Sequence, residues 1–578
     1  MKNILKYIMC LISFGLLLMS CEESLNLIPQ VNYSEATFFK TPDQFKLFAN
    51  QFYYALPNEQ SGYARDIYSD ILAGVGSNNT VSDGSYYPTP QSDLWQNSYI
   101  AIRNTTYLIQ EVANASSSLK SQVAVYDGEA RFFRAYAYFN LLKDFGGVPI
   151  INKVLTLTDN SLLYGTRNSR EEVTDYIIND LDTAINELPM QSNIAPEDQG
   201  RVSKGAALAF LARVALFEGT WEKFHANDVF GVPGHDWNGL LDTAIMASGE
   251  AMANGQYQLF DRRDVLGDSS YRYMFILDKV QSNAANLTKA DNHGYILVNR
   301  FDNDIRPAPG ISGNNAYSPT HKLADMFVCT DGLPIDKSPL FQGKQTVTSE
   351  YQNRDMRMTN DFCLPFKKFW AYYPPEYNRS WSDPDAGGVI YSVLFNRTTS
   401  TGYYPLKFEQ EIAAPLGTDY PVIRYAEVLL INAEALFERN GFITDAQLNQ
   451  TINLLRARVG VAPLTNELVQ QYGLDMRTEI RRERTVELCF EGFRFDDLRR
   501  WATATTEMPE ALEGVKWTGT QYATDPQWAS DKLNIGSDGY VVVESAADRN
   551  FDPNKNYLFP LPTRQILLDP KLTQNPGW

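Results

Sequence analysis

Cys21 and a set of glutamates near the end of the chain have the types and spacing that could do chemistry. Cys21 closes the run Leu18-Met19-Ser20-Cys21, after a basic start (Lys2, Lys6) and an apolar stretch from Ile8 to Met19. That stretch is too short to span a hydrocarbon core, which needs about 20 residues. It reads as the core of a signal peptide that is removed. A cysteine behind a small residue at this point matches a bacterial lipobox. The freed N-terminal thiol is lipidated there, so the chain is tethered to a membrane without crossing it. An ordinary signal peptide with a coincidental cysteine is the alternative. Glu483, Glu487 and Glu491 recur every four residues, on one helix face beside Arg481, Arg482 and Arg484. An enzyme could use such carboxylates for proton transfer. Carboxylates and guanidinium groups at this spacing more often form helix-stabilising ion pairs, so no catalytic residue is expected.

Metal and disulfide chemistry find little support. After Cys21 only Cys329, Cys363 and Cys489 remain, and His225, His235, His293 and His321 lie far apart. Neither a disulfide framework nor metal-ligand spacing is present. Acidic loops (Asp291, Asp302, Asp304; Asp383, Asp385) could hold a calcium ion, but the glycine of a tight calcium loop is absent from their spacing. No cofactor is expected. The precursor carries −18, and losing Lys2 and Lys6 with the signal leaves −20. Such a chain repels nucleic acid and anionic headgroups, so no nucleic-acid partner is expected.

The elements that must position these groups are mostly helical. Thr41 is a cap and Pro42 a first helical position, and Phe45, Phe48, Phe52 and Leu56 form a stripe behind them. Residues 74–92 are a loop by composition. Asp93 opens the next helix, with Trp95, Tyr99, Ile102 and Leu108 inward. Phe132, Ala135, Tyr136, Phe139 and Leu142 stripe a helix over 122–144 that Gly146-Gly147 and Pro149 stop. Helices follow over 170–188, 203–218 and 237–254. From 255 to 420 the period weakens and irregular loops with short strands are expected, for example at 295–298 and 389–394. Helices return over 424–439, 446–458 and 477–489, and 557–578 reads as extended. Ala-x-x-x-Phe recurs at Ala135/Phe139, Ala206/Phe210 and Ala433/Phe437. This is the packing logic of tetratricopeptide units. The fold class is mainly α, with stacked helix pairs and a loop-rich subdomain containing short strands.

Several blocks stand out: Gly128-Glu129-Ala130-Arg131-Phe132-Phe133-Arg134-Ala135-Tyr136 with Phe145-Gly146-Gly147-Val148-Pro149; Gly200-Arg201-Val202-Ser203-Lys204-Gly205-Ala206-Ala207; Ile423-Arg424-Tyr425-Ala426-Glu427-Val428; Arg482-Glu483-Arg484 through Glu491-Gly492-Phe493-Arg494-Phe495-Asp496-Asp497-Leu498 to Arg500-Trp501; and Asn575-Pro576-Gly577-Trp578. Together and in this order they resemble the RagB/SusD family of Bacteroidetes outer-membrane lipoproteins. The resemblance implies about four tetratricopeptide-like units in a superhelix and a non-catalytic, glycan-capturing surface protein. It implies a SusC-like TonB-dependent barrel transporter as partner, covered as by a lid. Glu22-Glu23 resembles the surface-export signal of such lipoproteins, so the implied location is the outer membrane, lipid-anchored and facing outward. The expected segments are a signal peptide (1–20), a lipidated tether (21–40), helical body (41–254), irregular ligand-binding subdomain (255–420), helical body again (421–505) and an extended C-terminal segment (506–578).

A glycan presents apolar C–H faces and many hydroxyls, so its binder needs aromatic rings and forked polar groups on exposed loops. Two segments fit. Loop 74–92 holds Asn78, Asp83, Tyr86 and Tyr87, with Trp95 just beyond. Segment 366–381 holds Trp370, Tyr372, Tyr373, Tyr377, Arg379 and Trp381. Trp95, on a helix with Tyr99 and Ile102, is better placed for the core than for ligand, and Trp501 reads as core. The rival readings are the same lid role for peptide or other cargo, a surface-anchored glycoside hydrolase, and a structural protein without ligand.

Overall fold

The computed structural model describes residues 38–74, 79–232, 234, 236–283, 285–308, 317–365, 368–371, 388–390, 401–410, 417–526 and 532–578, with backbone alone at 368–371 and 388–390. Helix α1 (Pro42–Ala49) begins where the cap signals predict, and Gln44 Oε1 accepts from the Thr41 N–H at 3.2 Å. After α2 (Glu59–Asp66) comes α3 (Asp93–Asn114), capped by Ser92. Next are α4 (Ser117–Phe145), α5 (Arg170–Glu187), α6 (Lys204–Phe224) and α7 (Trp237–Ala253). Ser169 and Glu172 close a capping box on α5, at 3.1 and 2.7 Å. Gly146 ends α4 with φ +73°, a backbone state open to glycine.

Beyond the irregular region lie α8 (Tyr425–Asn440), α9 (Ile452–Arg458), α10 (Asn466–Tyr472), α11 (Met476–Leu488) and α12 (Arg494–Arg500). The helix expected over 446–458 is in fact two, Asp445–Asn449 and α9. No glycine or proline marks the break. Thr451 leaves helical geometry while its hydroxyl bonds the Gln447 carbonyl at 2.7 Å, a side-chain bond that competes with the helix ladder. The stretch expected to be extended, 506–578, holds β7 (Leu512–Lys516), β8 (Tyr540–Glu544) and a short helix, Thr563–Leu568.

Successive helices stack in order, α3 on α4 and on through α5, α6, α7 and α8, with α11 against α8. The architecture is mainly α and tetratricopeptide-like. α6 is buried almost all round and also meets α8 and α12, so it is the axis of the core. The repeated motif does what its spacing predicts. Ala135, Ala206 and Ala433 have no exposed surface, and Phe139 and Phe210 from two repeats meet edge-on at 5.6 Å. A smaller apolar cluster (Leu429, Leu430, Ile452, Leu455, Ile480) joins α8, α9 and α11.

Four two-stranded antiparallel ladders complete the described residues. β1 (Leu72–Gly74) pairs with β3 (Tyr317–Pro319), and β2 (Tyr295–Asn299) with β6 (Tyr420–Arg424). β4 (Lys368–Ala371) pairs with β5 (Gly388–Ile390), and β7 with β8. Two strands alone are marginal in water. The first two ladders gain support by joining the irregular region to segments flanking α2 and α8.

Gly205 on α6 has the Tyr257 ring directly over its Cα, and an added Cβ would collide with the Tyr257 hydroxyl. Gly205→Ala should lower stability by about 1–3 kcal/mol in urea denaturation. Combining it with Tyr257→Ala, which opens the space, should make the double variant less destabilised than the sum of the two single changes.

Candidate functional site

The two aromatic segments that the sequence proposes meet different fates. β1 ends at Gly74, which pairs with Tyr317 of β3. The end of β1 therefore lies beside the start of β3 at one end of the ladder. The ladder end is fixed by stacking. Tyr63 on α2 lies nearly parallel to Tyr317 (5.1 Å) and to Phe490 (5.3 Å), and its hydroxyl donates to the Lys407 carbonyl at 2.8 Å.

Within the early loop, Tyr86 is spent on the scaffold. Its ring packs edge-on against Phe559 (5.2 Å) and Trp578 (5.9 Å), and burial raises its phenol pKa. Tyr87 is open to solvent, 69% exposed. The Asp83 carboxylate accepts from the Ser85 N–H at 2.7 Å in a local turn. Trp95 is a core residue, not a free platform. It is 6% exposed and packs edge-on against Phe145 at 5.3 Å, because the first turn of α3 lies on the end of α4. Only its margin reaches a hollow of about 660 Å³ bordered by Tyr99, Ile100, Tyr164 and Leu568. Asn78 lies outside the described residues, as do Tyr372, Tyr373, Tyr377, Arg379 and Trp381. Trp370 stands in β4, opposite Val389 of β5.

The glutamate set is buried and fully paired. Glu487 accepts from Arg424 (2.5 Å), Arg458 (2.7 Å) and Arg357 (2.8 Å). Glu483 faces Arg456 (2.9 Å) and Arg357 (2.7 Å), and Glu491 faces Arg424 (2.7 Å) and Lys407 (2.8 Å). The pairs run between elements, whereas the spacing predicts them along the helix. Arg482 alone of this block pairs along it, with Glu479 at 3.2 Å. Burial pushes all three carboxyl groups up, and the facing cations outweigh it, holding each below the usual carboxylate range. They have no proton to give near neutral pH and no open face to a substrate. Acid–base work here is excluded by that environment. Among the described residues no three histidine, cysteine or acidic side chains are grouped to hold a metal ion.

Comparison with known proteins decides what this scaffold is. A family model described as the SusD family matches residues 276–578, and one described as starch-binding associating with outer membrane matches residues 35–216. The chain belongs to the SusD family. Its curated relatives include SusD-like protein P38 of Formosa agariphila, 31% identical over 535 residues, 88% of this chain and 93% of that one. Among solved structures, a SusD-like carbohydrate binding protein from Bacteroides fragilis superposes with a TM-score of 0.71 at 22% identity, covering 93% of this chain and all of the other. A laminarin binding SusD-like protein has a TM-score of 0.56 at 21% identity, with 93% and 100% covered. In this SusD-family chain no helix among the described residues is long and apolar enough to cross a membrane.

Two measurements check the ionic scaffold. Glu487→Gln takes from the buried Arg458 its carboxylate partner among the described residues, while Arg357 keeps Asp355 and Glu483 and Arg424 keeps Glu491, and it should cost about 3–5 kcal/mol in denaturant unfolding. Glu434 accepts from Arg500 (2.5 and 2.8 Å) and from the Trp501 indole N–H (2.7 Å). Burial raises its carboxyl, and Arg500 overrides this and takes it down to about 2. A carboxyl depressed in the folded state stabilises above its unfolded pKa of about 4.3. That stability should drain away as pH falls from about 4.3 toward 2, and thermal melts of Glu434→Gln should show a shallower acid limb.

Proposed function

We propose that this chain is a non-catalytic, lipid-anchored protein of the outer cell surface. It captures an oligosaccharide and delivers it to a SusC-like TonB-dependent barrel that it covers as a lid. The observation that carries the reading is membership of the SusD family along nearly the whole chain. The names of the neighbours support the cargo, since one is described as carbohydrate binding and another as laminarin binding. The burial of the carboxylate set Glu483, Glu487 and Glu491 supports capture without cleavage.

In this proposal the lipid sits on Cys21 and the tether runs to the body at about residue 40. Tyr87, Trp370, Tyr373 and Trp381 supply rings for sugar faces, while Asn78, Asp83 and Arg379 meet hydroxyls. Tyr87 has the required exposure, and a ring with both faces dry would have no room for a sugar.

Titration calorimetry against a panel of oligosaccharides tests this reading. Trp370→Ala, Tyr373→Ala and Trp381→Ala should each weaken the cognate glycan about tenfold, or about 1.4 kcal/mol, with Tyr87→Ala in the same direction. Unchanged affinity in all four variants would sink the stacking role. Release of reducing sugar by the purified chain would replace capture with hydrolysis.

A further inference from the structure

A groove crosses the helical body on either side of Gly200. One hollow of about 440 Å³ passes Gln256, Asn292 and His293, and a second of about 380 Å³ passes Asn50, Tyr53 and Arg306. Gln199, Gly200, Arg201, Val298 and Arg300 belong to both. Each is within the roughly 300–1,000 Å³ of small-molecule sites. Gly200 has φ +97°, and an added Cβ would run into the stem of Arg300. The glycine therefore lets the arginine lie across the floor where the two hollows join.

The charges of this groove are unlike those of the chain. Lys46, Arg201, Lys289, Arg300 and Arg306 line it against Glu197, Asp198 and Asp419. Three of the cations are engaged, Lys46 with Asp198 (2.7 Å), Arg201 with Glu129 (2.6 Å) and Lys289 with Asp419 (2.8 Å). Arg300 is half-exposed. It donates to the Gln199 carbonyl at 2.5 Å, and its one carboxylate neighbour is Asp419 at 3.9 Å, which Lys289 already holds. Arg306 forms no ion pair among the described residues. It donates to the Arg300 carbonyl at 3.1 Å and lies within cation–π range of Phe301 (5.0 Å) and of Tyr54 (5.4 Å). Tyr54 is 78% exposed, off the apolar stripe of its helix. Asp302 on the same loop turns back, accepting from the N–H groups of Asp304 (2.8 Å) and Ile305 (3.0 Å).

Two neighbouring guanidinium groups, Arg306 with no carboxylate partner among the described residues and Arg300 with only the distant Asp419 that Lys289 already holds, stand out in a chain of net charge −18. Guanidinium forks match carboxylate and sulfate oxygens. The open face of Tyr54, beside Arg306, suits a sugar ring. We infer that this groove binds an acidic stretch of oligosaccharide, with a carboxylate or sulfate ester held by Arg300 and Arg306. The inference rests on the glycan-capture reading, yet uses none of the residues proposed there.

Titration calorimetry of the mature chain tests it with three probes of equal length: an oligogalacturonate, a sulfated galactan oligosaccharide and a neutral β-glucan oligosaccharide. At least one acidic probe should bind, and which one separates carboxylate from sulfate recognition. Arg300→Ala with Arg306→Ala should weaken it at least about tenfold, and raising salt from about 50 to 300 mM should weaken the parent chain more than the variant. Lysines at both positions should recover part of the loss, and equal thermal midpoints show that the fold is kept. Acidic binding indifferent to these substitutions, or binding of the neutral probe alone, overturns the inference and leaves glycan capture standing. No binding of any probe overturns it too, and the wider panel above then decides capture.

Discussion

Glu487 is the point on which the architecture turns. An ionised carboxylate with no exposed surface is tolerable only if its charge and its lone pairs are met nearby. Three guanidinium groups meet them, each from a different part of the fold. Arg357 comes from the short helix Arg357–Asp361 in the irregular region, Arg424 from the end of β6 and Arg458 from the end of α9. Loss of any partner weakens the balance of charge held in low dielectric. The irregular region and the helical stack are therefore coupled energetically as well as by chain connection.

The same logic continues outward. Arg494 closes on Asp70 at 2.7 Å, just before β1, and Arg499 joins Arg65 around Asp144 and Asp496. These ties hold α2 and β1 against α12, and so fix the ladder end from which the early loop departs. A scaffold this constrained is compatible with the proposed lid role, because presenting binding groups in one geometry loses little ordering entropy on binding. It leaves the ionisable groups committed to structure. The free chemistry of the described surface lies in exposed rings such as Tyr54 and Tyr87 and in the guanidinium pair of Arg300 and Arg306.

Much of this was legible beforehand. Helix positions followed from caps, stripes and glycine stops, and α1, α3, α5 and α8 begin within a residue or two of where those signals put them. The Ala-x-x-x-Phe spacing announced close helix contact, which Phe139 and Phe210 make. Less was legible of the site. Trp95 was legible as a core candidate from its place on a helix, whereas Tyr86 and Tyr87 looked alike as loop aromatics, and only the packing of Phe559 and the C-terminal Trp578 on the loop separates them. Tyr54 was missed. The signal was there, since it falls off the Phe45, Phe48 and Phe52 stripe, but its partner Arg306 lies some 250 positions away.

Local physics explains the division. Capping, helical period and turn chemistry act over a few residues, so the amino-acid order by itself determined the helices, their small-residue contact faces and the family to which they belong. Charge pairing and groove formation act through space between residues far apart in the chain. Only the tertiary structure decided that the glutamates of α11 look across to arginines of other elements instead of along their own helix, and that Arg300 and Arg306 lie beside Gly200 with, among the described residues, no close carboxylate of their own.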